Sequence, residues 1–170
     1  MKTRSALLLL ALGWVALSSG CAGYRLGSML PEDIKTVHVP SFVNETSEPL
    51  IEIDCHRAMI EELQRDGTLR VADEENADAI VRVKLRDYKL EPVVYDTRSR
   101  SNVRQYRIRI TANLVMTRRV DDSVIVERPS VRSEGVFNVS GDLSSSKLIG
   151  LPVAAADLAR KLVQHMVEAW

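Results

Sequence analysis

From Asn102 to Arg119 the chain reads NVRQYRIRITANLVMTRR, and the alternation in this stretch decides the fold. Tyr106, Ile108, Ile110, Ala112, Leu114 and Met116 share one parity; Arg107, Arg109, Thr111 and Asn113 share the other. Successive side chains of a strand point to opposite faces, so the spacing predicts a long strand with one buried and one wetted face. Burial on one side only is the habit of antiparallel sheets.

Upstream, IVRVKLRDYKLEPVVYD (residues 80–96) supplies a second long strand. Val81, Val83 and Leu85 share one parity, whereas Tyr88 and Leu90 take the other, which predicts a bulge near Arg86 or Asp87. The polar DTRSRS that follows fits a hairpin loop or a mobile tip. Downstream, DDSVIVERPSVRSEGVF predicts a further strand after the Asp121–Asp122 turn, bent or at a sheet edge because Pro129 interrupts it.

Nearer the amino terminus, IKTVHVPSF from Ile34 reads as a strand ended by Pro40. SEPLIEIDCHRAMIEELQRDG predicts a helix with Ser47 as cap, Pro49 in the first turn and Gly67 as the stop. Its expected buried stripe is Leu50, Ile53, Ile60 and Leu63, with Met59 beside it. TLRVAD is a short strand. SGDLSSSKLIG reads as a loop, and PVAAADLARKLVQHMVEAW as a last helix, with Pro152 in its first turn and Ala155, Leu158, Ala159, Leu162 and Met166 as its stripe. The expected fold class is α+β, two helices packed on one face of a mainly antiparallel, about four-stranded sheet.

The composition, 27% charged and 45% hydrophobic over 170 residues, is that of one globular domain. Lys+Arg and Asp+Glu both number 23, so no global basic excess points to nucleic acid, and 5% aromatic residues argue against a stacking platform for single strands. Nucleic acid is therefore not an expected partner.

Residues 1–20 read as an export signal: Lys2 and Arg4, an apolar run from Ala6 to Leu17, then Ser18, Ser19 and Gly20. The apolar run rises about 18 Å as a helix, short of a hydrocarbon core of about 30 Å. A small residue directly before a cysteine is what lipoprotein processing uses, and LSSGC resembles the bacterial lipobox, with Ser18 where that pattern usually has leucine. The resemblance implies cleavage before Cys21, lipidation of Cys21 and attachment to a membrane through acyl chains, more than one of which gives stable anchoring. Ala22 is not the aspartate of an inner-membrane retention signal, so the expected location is the outer membrane. The chain then divides into a signal (1–20), a lipidated tether (21–33) and one α+β domain (34–170), with no cofactor beyond the covalent lipid.

Chemistry elsewhere is sparse. His38, His56 and His165 are scattered, and Cys55 and His56 diverge on a helix, so no metal site is expected. Ser144 and Lys147 spell SxxK, the nucleophile motif of penicillin-binding enzymes, without an SDN or KTG to accompany it; no enzyme activity is expected. A basic stripe remains: Arg98, Arg100, Arg104, Arg107 and Arg109, with Arg118 and Arg119 further along. Guanidinium forks suit phosphate and carboxylate, so the stripe is a candidate contact for an anionic lipid or an acidic partner loop. The plainer reading is a solvated sheet face with local partners such as Asp96, Asp121 and Asp122.

With its cysteine followed by GYRL, LPEDIKTVHVPSFVNETSEP, GTLRVADEENADAIVRVKL and YKLEPVVYD, the chain resembles the lipopolysaccharide-assembly lipoproteins, the LptE family. The likeness runs from Cys21 to about Met116; Ala22 is one residue more than the pattern has, and nothing beyond residue 117 is diagnostic. It implies two helices on a four-stranded sheet, and an outer-membrane lipoprotein that plugs and helps fold a large β-barrel translocon (LptD-like) and contacts lipopolysaccharide bound for the outer leaflet. An envelope lipoprotein serving as adaptor in another export or cell-wall complex shares the anchor and domain and is the alternative; a hydrolase using Ser144 and Lys147 is a third.

Overall fold

The structure, a computed structural model, describes residues 30–96 and 102–168. Three long strands carry it: β4 (Ala79–Tyr95), β5 (Val103–Arg118) and β6 (Val124–Asn138). They pair antiparallel in the order β4-β5-β6, and the alternation of β5 is realised, with Ile108, Ile110, Ala112, Leu114 and Met116 all buried. The parity change in β4 is a real irregularity, since the register shifts between Leu85 and Asp87. Pro129 lies in β6, the edge strand, where the pairing with β5 shifts between Ala112 and Leu114.

The sheet is larger and more mixed than expected. Three short strands, β1 (Thr36–His38), β2 (Val43–Asn44) and β3 (Arg70–Val71), make it six-stranded, and all three pair parallel to their neighbours. Pro40 is the reason for two of them. It ends β1, which pairs with Ala79 and Ile80, and the chain regains β4 only at Lys84 and Leu85 as β2.

Helix α1 (Ile51–Asp66) ends as expected at Gly67, whose φ of 75° is the left-handed conformation that glycine adopts freely and whose N–H reaches the Leu63 carbonyl. Its start differs. Ser47 does not cap it; Leu50 does, at φ 64°, without a side-chain hydrogen bond. Asn44, Thr46 and Glu48 form their own turn instead: the Asn44 amide donates to the Glu48 carbonyl (2.9 Å) and to Glu52 Oε2 (2.8 Å), and Asn44 Oδ1 accepts from the Thr46 hydroxyl (2.8 Å). The buried stripe is Ile51, Cys55, Met59 and Leu63, so the expected Leu63 and Met59 are in it and Ile60 is half-buried beside it, whereas Leu50 (65%) and Ile53 (53%) face solvent.

The last helix starts earlier than expected. Helix α2 (Leu143–Val167) takes in most of the presumed loop, because the Asp142 carboxylate caps it by accepting the Ser145 N–H at 2.9 Å. Pro152 is therefore in mid-helix rather than the first turn. It removes the N–H that Leu148 would have met, but Leu148 is exposed and water can serve that carbonyl. The expected stripe is buried throughout. Two glycines let α2 lie close to β6: a Cβ at Gly135 would sit 2.5 Å from the Ala154 nitrogen, and one at Gly150 would enter the Phe137 ring. Both helices bury their stripes in one cluster with the inward side chains of β4 and β5, so the helices occupy a single face and the other face is polar.

Candidate functional site

The fold gives the domain two dissimilar ends. The chain enters at Leu30 beside the start of β4, where Asp33 pairs with Arg118 and the Ile34 N–H bonds to the Pro31 carbonyl. From there β4 runs 17 residues, roughly 50 Å, to the hairpin that joins it to β5. Arg104 is at that far end, and the segment holding Arg98 and Arg100 joins Asp96 to Asn102, whose backbones are bonded at 2.7 Å. Arg98, Arg100 and Cys21 themselves lie outside the described residues.

The three described arginines of the stripe, Arg104, Arg107 and Arg109, differ in their surroundings. Arg107 and Arg109 lie on the polar face among acids. Arg109 Nη1 meets Glu91 Oε1 at 2.9 Å and Arg109 Nη2 meets Glu134 Oε1 at 3.2 Å, while Arg107 Nε is 3.4 Å from Glu134 Oε2. Cross-strand register makes these pairs, since Glu91 stands opposite Arg107 and Glu134 opposite Arg109. Arg104 reaches Asp96 only at 3.9 Å with 68% of its side chain exposed, which leaves it the best placed of the three described arginines for an outside anion. Beside it a shallow cavity of about 390 Å³ is lined by Val94, Arg104, Gln105, Asn138 and Val139. Of the anticipated acidic partners, Asp96 is engaged, whereas Asp121 holds the Ser123 hydroxyl at 2.7 Å in its own turn. The acids that do pair, Glu91, Glu134 and Asp33, are distant in sequence and need the register to be found.

The motifs carrying the family likeness are structural. ADAIV places the Asp78 carboxylate where its Oδ2 accepts from the Lys35 N–H (3.0 Å), the Thr36 N–H (2.9 Å) and the Thr36 hydroxyl (2.8 Å), which fixes the start of β1. These bonds, led by that from Lys35, hold the Asp78 carboxyl below its ordinary value. The NETSEP turn is tied to α2, because Lys147 Nζ donates to Glu48 Oε1 at 2.6 Å. Lys147 thus engages Glu48, and Ser144 is exposed on the first turn of the same helix.

Among the described residues no three His, Cys, Asp or Glu side chains converge as for a metal ion. His38 and His56 instead bond through their rings to the carbonyls of Ala72 and Val39. Cys55 is buried, and burial, reinforced by Asp54 and Glu52, pushes its thiol up to about 12. No helix among the described residues is long and apolar enough to cross a membrane.

Sequence reasoning missed the apolar outer surface of the helices. Leu148 and Ile149, 72% exposed each, and Val153 stand out from α2, and Leu50 and Ile53 are exposed at the start of α1. The adjacent Leu148 and Ile149, neither in the helical stripe, were the available signal.

Curated protein sequences yield no match. Several solved structures share the fold at low identity. A protein from Xanthomonas campestris is 10% identical with a TM-score of 0.59, covering 82% of this chain and 87% of that one. A hypothetical protein from Chlamydia trachomatis is 13% identical with a TM-score of 0.53 (81% and 99%), and a minor lipoprotein from Acinetobacter baumannii is 12% identical with a TM-score of 0.51 (78% and 92%). The lipopolysaccharide-assembly family model matches residues 34–169, nearly the whole of the described domain, and the chain therefore belongs to the LptE family.

Proposed function

We propose that this chain is a lipid-anchored outer-membrane protein that plugs a large β-barrel lipopolysaccharide translocon, assists its assembly and helps lipopolysaccharide to the outer leaflet. The observation that carries this reading is the family match over residues 34–169. The shape of the domain supports it. Acyl chains on Cys21 would hold the entering end at the bilayer by a tether to Leu30 of at most about 30 Å. A β4–β5 blade roughly 50 Å long then suits a body that reaches through a barrel. Anchoring also confines the domain to the surface where its partner resides, which raises effective concentration without a tight soluble interface.

Arg104 is at the far end, and Arg98 and Arg100 belong to the sequence between Asp96 and Asn102; we assign these three the contact with lipid A phosphates or an acidic barrel loop. Reversing all three to glutamate is expected to weaken lipopolysaccharide binding by tenfold or more in a direct binding assay, and unchanged binding removes them from the site. Depletion of the chain tests the function as a whole. It is expected to lower surface lipopolysaccharide and to reduce the folded, heat-modifiable form of the barrel; a cell that keeps both would refute the proposal.

A further inference from the structure

The two long edges of the sheet are treated differently. On β6, helix α2 reaches over to the outer edge: Asp157 Oδ2 accepts the Glu134 N–H at 3.0 Å, Lys161 Nζ donates to the Arg132 carbonyl at 2.9 Å, and the two side chains pair at 2.7 Å. That edge is occupied at its centre and broken by Pro129, two devices by which proteins keep edge strands from pairing. On β4 the last main-chain bond to a neighbour other than β5 is from the Glu45 N–H to the Leu85 carbonyl at 2.9 Å. From Asp87 to Glu91 the backbone groups on that side have no partner among the described residues, although β5 holds the strand firmly extended from within.

We propose that the outer edge of β4 from Asp87 to Glu91 is a strand-addition site, and that its occupant is an extended segment of the barrel partner. The inference rests on the function proposed above for the identity of that partner. A row of free N–H and C=O groups at strand spacing is matched by another extended backbone, which supplies both donors and acceptors in register. The side chains narrow the choice. On the polar face Asp87, Lys89 and Glu91 alternate in sign, so the added segment carries base, acid, base in that order against them; on the helix face Tyr88 and Leu90 are only half-buried and offer alternate apolar footing. The site ends at Pro92, which has no N–H to offer and precedes a shift in register between Pro92 and Val94.

The test uses the full-length lipoprotein in its own outer membrane. A photo-reactive phenylalanine analogue replaces Lys89 in one strain and Arg132, on the guarded edge, in another. Cross-linked products are identified by mass spectrometry beside a parallel pull-down of the barrel. The proposal expects position 89 to cross-link to the barrel at least tenfold more than position 132. The charge-swapped double variant Asp87→Lys/Lys89→Glu, which retains the pair these two make at 3.1 Å, is expected to lower barrel recovery several-fold. Hydrogen exchange of the purified complex should show the amides of residues 87–91 protected at least tenfold over the free domain. Co-purification of the barrel without preferential cross-linking at position 89, or without that protection, overturns the strand-addition site and leaves the function standing. Absence of the barrel with cross-links between copies of this chain overturns both.

Discussion

Asp78 shows at the scale of one residue how a family signature is a folding device. Its carboxylate holds three donors at the entry to β1, so Asp78→Ala should cost about 1–3 kcal/mol in urea unfolding of the domain, the range for loss of charge-assisted bonds. Because the folded carboxyl titrates below its ordinary 3.8, the charged form stabilises the fold above that value. This contribution is lost as pH falls through the lower, folded value. The stability gap between the native protein and Asp78→Ala should therefore be full at pH 7 and shrink below about pH 3.8. A gap independent of pH would assign the residue a packing role instead. Cys55 makes the opposite case: buried and raised to about 12, its thiol should resist alkylation at pH 8 in the folded domain and react at once in denaturant. Rapid labelling of the native domain would mean that α1 opens readily.

At the scale of elements, α2 against β6 rests on missing side chains. Gly150→Ala gains about 1 kcal/mol of helix propensity, but its Cβ would overlap the Phe137 ring, and overpacking costs typically 1–3 kcal/mol. The net expectation is a destabilisation of about 1 kcal/mol, measured as a lower midpoint in thermal unfolding; an increase would show that Phe137 moves aside freely. The same helix guards the sheet edge, so Asp157→Ala with Lys161→Ala should raise self-association by light scattering while secondary structure is retained. Elements were also where the sequence was most and least readable. Strict alternation in β5 and the parity change at Arg86 were legible because strand period is local and a bulge must invert it. The phase of α1 was not, because Leu50 and Ile53 interleave with Ile51 and Cys55, and only packing against α2 and the sheet chooses between them. Pro152 misled because proline favours a first turn by propensity, while the Asp142 cap and burial of Ser146 and Gly150 carried the helix back past it.

For the whole molecule, polarity is the organising property: Asp33 and Arg118 pair at one end of the long strands, and Tyr95 and Arg104 are at the other. That separation follows from strand length and was implicit in the sequence. The acids that neutralise Arg107 and Arg109 were not, because Glu91 and Glu134 reach them only through cross-strand register. On the function proposed above, the domain is expected to act as a component of a larger assembly. The most direct measurement is a gentle-detergent pull-down of the full-length, carboxy-terminally tagged protein from its own outer membrane, with the eluate quantified by mass spectrometry. The account predicts a large β-barrel at one-to-one stoichiometry with lipopolysaccharide in the eluate. Recovery with an inner-membrane or cell-wall complex instead, and no barrel, would contradict it.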